Sequence, residues 1–140
     1  MAWAHPVFNT DPQGLMLSGY DPVSYFREPR PIKGNPKISA KQGDVLYYFA
    51  SEANKQTFLK EPQKYEPQFG GWCAYAVADS KSKVEVDPLS YSIQKGRLLL
   101  FYNGLWGNTR EKWNTNKKKT PDQYLTEADA NWSEVKNKEP

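Results

Sequence analysis

Gln68-Phe69-Gly70-Gly71-Trp72-Cys73-Ala74-Tyr75-Ala76-Val77-Ala78 is the stretch whose reading decides the fold. The adjacent glycines let the backbone turn sharply. The small alanines alternating with large side chains behind them mark a segment packed inside a core. The expectation is a helix beginning near Gly71, with a strand as the alternative. The turn then folds this segment back against a second turn far upstream, Tyr20-Asp21-Pro22, so that both share one body.

Upstream of this stretch, Pro62 ends a helix that Ser51 caps and that runs from Glu52 to Leu59, with Phe58 and Leu59 facing a sheet. Val45-Leu46-Tyr47-Tyr48-Phe49 pairs with Ile38-Ser39-Ala40 through a turn at Gln42-Gly43-Asp44. Gly14-Leu15-Met16-Leu17-Ser18-Gly19 reads as a short strand between glycine turns. Asp21 then caps a helical turn or two with Pro22 at its first position. Downstream, the polar residues 79–86 form a loop. Tyr91-Ser92-Ile93 and Leu98-Leu99-Leu100-Phe101-Tyr102 form a hairpin about Gly96, and the unbroken apolar run of its second strand implies burial on both faces. Residues 105–116 read as a helix with Trp106 and Trp113 on one face. Thr120, Pro121 and Gln123 spell a capping box for a last helix carrying Tyr124, Ala128, Trp132 and Val135. No repeat is visible along the chain. The expected fold is α+β: a small antiparallel sheet of at least four strands covered by three or four helices. Residues 1–13 form an N-terminal extension, and 14–137 a single domain.

The 140 residues suffice for one hydrophobic core, and 38% hydrophobic with 25% charged residues is not a disordered composition. Five Trp and nine Tyr supply large buried areas whose polar tips need hydrogen-bond partners. A formal net charge of +3 does not by itself imply nucleic acid, and none is expected as a partner. The basic run Arg110, Lys112, Lys117, Lys118 and Lys119 reads as a solvated helix end and loop, with a phosphate-binding patch as the alternative. No apolar run approaches the ~20 residues of a membrane span. Cys73 is the only cysteine, which excludes an internal disulfide and a thiolate metal cage within one chain. The start Met1-Ala2-Trp3-Ala4-His5-Pro6 lacks the pattern of a signal peptide. An exported or periplasmic location remains compatible if such a segment has been removed.

Four stretches, in order and spacing, resemble the YHS-domain family, in particular its long subgroup of small stand-alone, often exported bacterial proteins. They are Gly19-Tyr20-Asp21-Pro22-Val23-Ser24-Tyr25-Phe26, then Tyr47-Tyr48-Phe49-Ala50-Ser51-Glu52-Ala53-Asn54-Lys55-Gln56-Thr57-Phe58, then Pro62 to Val77 with its Gly-Gly-Trp-Cys, and the tail Ala128-Asp129-Ala130-Asn131-Trp132. The likeness covers roughly residues 14 to 135. It implies the fold and, for some relatives, handling of copper or another transition metal. The metal-binding members carry cysteines where this chain has Ser24, Ala50 and Asn54. Those soft thiolates hold Cu(I) or Zn(II), so the metal site does not carry over.

The candidate ligand-binding residues are Tyr20, Asp21, Tyr25, Tyr65, Cys73 and Tyr75, with Asp21, Tyr25, Tyr65 and Cys73 lining one pocket for a small ligand. The alternative is structural: Asp21 caps its own helix and the tyrosine hydroxyls bond backbone carbonyls. Cys73 is either a thiolate activated by a helix N-terminus or a small buried hydrophobe. His5 and Cys73 are the weak metal candidates. No catalytic residue is assigned. Three functions compete: a binding or accessory domain connected to metal homeostasis, a Cys73-dependent redox or nucleophilic protein, and a protein-interaction module presenting exposed aromatics.

Overall fold

A computed structural model of the chain describes residues 7–140. A 3-10 turn (Leu17–Gly19) leads into α1 (Ser24–Arg27), the hairpin β1 (Asn35–Gln42) and β2 (Val45–Phe49), then α2 (Glu52–Lys60) and α3 (Pro62–Tyr65). A second 3-10 turn (Phe69–Gly71) leads into α4 (Ala74–Ser80), the hairpin β3 (Asp87–Gln94) and β4 (Arg97–Phe101), and the tiny hairpin β5 (Asn103–Gly104) and β6 (Gly107–Asn108). Then come α5 (Thr109–Thr115) and α6 (Pro121–Val135). The chain is thus α+β. Among the described residues, however, its strands form three two-stranded antiparallel ladders, not one sheet of four or more strands.

The physical reason is that the free edges of β2 and β4 are already taken. Met16 N–H donates to Leu46 O at 2.9 Å and Leu46 N–H to Gly14 O at 2.8 Å, while Gln68 N–H donates to Leu98 O at 2.9 Å. The expected strand from Gly14 to Gly19 is therefore a short parallel bridge, Leu15 to Leu46. It ends where the chain turns left-handed at Leu17.

The order of elements repeats, although the side chains hide it. The first ladder pairs Asn35 with Phe49 and Gln42 with Val45, and the second pairs Asp87 with Phe101 and Gln94 with Arg97. Each partner is displaced by 52 positions (35 to 87, 49 to 101), and the register shift falls at the same place in both. The 3-10 turns obey the same offset. Leu17, Ser18 and Gly19 have φ of 63°, 52° and 85°, and Phe69, Gly70 and Gly71 have 56°, 62° and 85°. Asp21 N–H donates to Ile32 O as Cys73 N–H donates to Val84 O, at 2.8 and 3.0 Å. The expectation of no internal repeat is corrected: one backbone design occurs twice, built mostly from different side chains.

Two cores result, and β4 separates them. Leu98 and Leu100 join Met16, Val23, Tyr47, Phe49, Phe58 and Tyr65 on one side. Leu99 and Phe101 join Val77, Trp113, Tyr124, Ala128 and Val135 on the other. Alternate residues of a strand point to opposite faces, so the apolar run of β4 is buried on both, as its sequence implies.

Four local expectations need correction. The helix expected from Gly71 starts at Ala74, because Gly70 and Gly71 hold left-handed angles. It continues to Ser80, so the loop begins later than residue 79. Leu59 is 40% exposed while its neighbour Phe58 is fully buried, since adjacent helical residues point in different directions. Residues 105–108 are not helical: Gly107, with φ of 120°, closes the β5–β6 turn, and α5 begins only after Asn108, whose Oδ1 accepts Glu111 N–H. Trp106 is consequently 79% exposed and Trp113 fully buried. The capping box at Thr120 and Gln123 and the Ser51 cap are both present.

Candidate functional site

Asp21 is fully buried in the first half of the molecule. Its Oδ1 accepts Val23 N–H at 2.8 Å, and its Oδ2 accepts Ala50 N–H and Asn54 Nδ2–H, both at 2.8 Å. Its carbonyl accepts the Ser24 hydroxyl at 2.6 Å, and Ser24 Oγ in turn accepts Ile32 N–H at 2.9 Å. Asp21 does not cap α1, whose N-cap is Val23 without a side-chain bond. It instead ties three separate segments together, and burial of a carboxylate is tolerated because donors saturate it.

Ser24, Ala50 and Asn54, the places of the thiolates in the resembled family's metal-binding members, do meet here. They meet around the Asp21 residue as hydroxyl, backbone amide and side-chain amide. A soft metal ion finds no soft ligand there, and the carboxylate oxygens are already engaged, so these residues do not fit a thiolate metal site. Among the described residues no group of three or more His, Cys, Asp and Glu side chains is arranged around a metal position. His5 lies outside the described residues.

Cys73 occupies in the second half the place that Asp21 holds in the first. It is fully buried, bridges Leu100, and its Sγ lies 3.5 Å from Thr109 Oγ1. It precedes α4, a helix of 7 residues. Fully buried, with only the Thr109 hydroxyl bonded to its sulfur, it fits the reading of a small buried residue better than that of a reactive thiolate.

Three of the four tyrosines belong to the first core and one to the second. Tyr25 is buried in the first core; its hydroxyl donates to Pro88 O at 2.7 Å and its ring stands edge-on to Tyr91 at 5.1 Å. Burial pushes its ionisation far above the usual tyrosine value, with Tyr20, Tyr91 and Asp87 adding to the effect. Tyr65 packs in the same core with its ring edge-on to Phe26 at 5.2 Å. Tyr20 is half-buried under the Lys33 ammonium, 4.8 Å from its ring centre. Tyr75 belongs to the second core, against Tyr124. Desolvation, with Asp79 next, pushes its pKa up to about 12. The expected shared pocket of Asp21, Tyr25, Tyr65 and Cys73 is not formed: these side chains are buried, and none lines the grooves beside Arg30 or between the two 3-10 turns.

The larger concavity lies elsewhere. A groove of 540 Å³ runs between the loop Pro29-Arg30-Pro31 and the β3–α5 surface, with Leu89, Tyr91 and Ile93 as its apolar floor. Arg30, Arg110 and Asn114 supply the polar lining, and no carboxylate lines it. Arg110 Nε donates to Tyr91 O at 2.6 Å, which fixes the plane of the guanidinium while its two terminal nitrogens stay available. The prolines restrict the backbone on both sides of Arg30. Asp21 and Ser24 anchor the next residue but one, because Ile32 O accepts Asp21 N–H and Ile32 N–H donates to Ser24 Oγ. Tyr25 braces Tyr91 from beneath the floor. Two of the residues expected to bind ligand therefore position the groove from behind. The Pro-Arg-Pro triplet is its only signal in the sequence; Arg110 reads there simply as part of a basic run.

A second groove, of 330 Å³, lies where the two 3-10 turns adjoin, lined by Thr10, Asp11, Met16, Ser18, Gly71 and Glu85 among others. No family model matches the chain, and no curated protein and no solved structure matches it.

Proposed function

We propose that the chain is a non-enzymatic, YHS-like binding or accessory domain that takes an anionic ligand with an apolar body in the groove between Arg30 and Arg110. The observation that carries this reading is one groove lined by both Arg30 and Arg110, with apolar residues Leu89, Tyr91 and Ile93 and no carboxylate among the lining residues. Arginine presents planar, forked donors suited to carboxylate and phosphate groups. Leu89 and Ile93, 47% and 40% exposed, offer apolar area that a ligand body would cover. The closed bonding of Asp21 and the burial of Cys73 support structural work for both. Copper handling rests on the resemblance alone and forms no part of the binding step. Protein loaded with Cu(I), Cu(II) or Zn(II) and then dialysed is expected to retain no metal.

Calorimetric titration with phenyl phosphate, octanoate and inorganic phosphate tests the reading. Phenyl phosphate and octanoate are expected to bind more tightly than inorganic phosphate. Arg30→Ala and Arg110→Gln are each expected to weaken binding by about tenfold or more, the size of a lost charge-assisted hydrogen bond. Binding that survives removal of both arginines would overturn it.

A further inference from the structure

The repeated backbone isolates one element the fold does not need. In the first half, β2 ends at Phe49 and Ser51 already caps α2; in the second, β4 ends at Phe101 and the cap of α5 is delayed to Asn108. The intervening residues fold out as the β5–β6 hairpin, whose tip is Leu105-Trp106, 90% and 79% exposed. The tip is braced rather than loose. Trp106 N–H donates to the Tyr102 hydroxyl at 3.1 Å, and Gly104 lies so close over that hydroxyl that a Cβ would stand 2.7 Å from it. One cation reaches the base of the hairpin, and others flank it along the chain. Lys112 extends along Gly107, whose added Cβ would lie 3.4 Å from its ammonium, and Arg110, Lys117 and Lys118 are exposed on the same stretch. Glu111 is the one carboxylate between Leu105 and Lys119.

We infer that this hairpin docks the protein onto an anionic bilayer surface, inserting Leu105 and Trp106 at headgroup depth while Arg110, Lys112, Lys117 and Lys118 meet lipid phosphates. The shape and charge together select this occupant. A convex knob of two side chains falls short of the ~1,000 Å² of complementary surface that a stable protein interface buries. An indole at the headgroup level with cations set back from it is the arrangement that membrane interfaces favour. Each cation near an anionic leaflet adds attraction that salt screens. The knob and the charges act together, which makes binding reversible and lipid-dependent.

The test is co-sedimentation with vesicles of phosphatidylcholine alone and of phosphatidylcholine with phosphatidylglycerol in equal parts. The wild type is expected to partition to the anionic vesicles, with a blue shift of tryptophan emission that Trp106→Phe reduces. The pair Leu105→Ser and Trp106→Ala is expected to lower partitioning by about tenfold or more, as is the pair Lys112→Glu and Lys118→Glu. Arg30→Ala, which removes a groove arginine outside the hairpin, is expected to retain vesicle binding whatever its effect on phenyl phosphate. Four results would overturn the inference: no partitioning of the wild type to anionic vesicles, equal partitioning to neutral ones, unchanged partitioning of the Leu105 and Trp106 variant, or loss of partitioning with Arg30→Ala alone. Both tip variants alter only exposed side chains, so thermal melts matching the wild type are expected.

Discussion

Asp21 and Cys73 are structural equivalents: each comes after a left-handed 3-10 turn, each sends its N–H to the carbonyl of a residue eleven further on, and each side chain is fully buried. One slot is lined with several donors and filled by a carboxylate; the other offers a single hydroxyl and is filled by a thiol. The same backbone thus accepts opposite chemistries, because the segments downstream of the two hairpins differ. Asn54 and the Ala50 amide face Asp21, whereas Thr109 faces Cys73.

Removing the Asp21 carboxylate leaves the Val23 and Ala50 amides and the Asn54 side chain without acceptors. Asp21→Ala is expected to lower stability by about 3–5 kcal/mol in urea unfolding, and Asn54→Ala by about 1–2 kcal/mol. Because Asn54 and Asp21 are directly bonded, the double variant is expected to cost less than the two singles together. A loss below about 1 kcal/mol for Asp21→Ala would show that the network does not hold the segments together.

Cys73 is expected to resist alkylation in the folded protein and to react at the rate of a free thiol in denaturant. Labelling followed by mass measurement checks this. Rapid native labelling would instead restore the reactive-thiol reading.

Two glycines with the same φ of 62° should respond differently to alanine. At Gly43 an added Cβ meets nothing within 4 Å, so Gly43→Ala carries only the left-handed backbone strain, about 1 kcal/mol. At Gly70 it would collide with the Val7 carbonyl oxygen, which also accepts the Trp72 indole N–H at 3.0 Å. Gly70→Ala is expected to cost more than about 3 kcal/mol. Melting curves of the two variants measure the contrast.

Tyr25, Tyr47 and Tyr75 have ionisation raised chiefly by burial. Their folded values lie above the unfolded value of about 10. The stability this contributes is complete below about pH 10 and is lost as pH rises past it, because the unfolded chain releases those protons first. Stability is therefore expected to fall above about pH 10, and these tyrosines to ionise together with unfolding when phenolate absorbance is followed. Gradual ionisation of all tyrosines in the folded state would contradict the burial argument.

Legibility in the sequence depends on range. Turns and caps are set by neighbours, so the Gly43 and Gly96 hairpins, the Ser51 cap and the Thr120–Gln123 box all read correctly from local chemistry. The double burial of β4 was legible because its apolar run needs no partner to interpret. The four-stranded sheet was not, because edge pairing depends on which distant backbone reaches Leu46 and Leu98 first. The internal repeat is hard to see because the two halves share angles and bonds but few residues, Gly19 with Gly71 and Phe49 with Phe101 among them, while pairs such as Asp21 and Cys73 differ outright. Leu105 and Trp106 mimicked a helix start until Gly107 turned the chain. The groove is not legible in the sequence because Arg30 and Arg110 lie far apart along the chain and only the packing of the β3–α5 surface beside the proline loop brings them to one groove.

The most direct measurement is the set of backbone amide NMR spectra of the whole chain during titration with phenyl phosphate. Saturable shifts concentrated at Arg30, Leu89, Tyr91, Ile93 and Arg110, with Asp21, Cys73 and their bonded neighbours unmoved, are predicted. Shifts centred on Asp21 or Cys73, or none anywhere at ligand excess, would contradict the account.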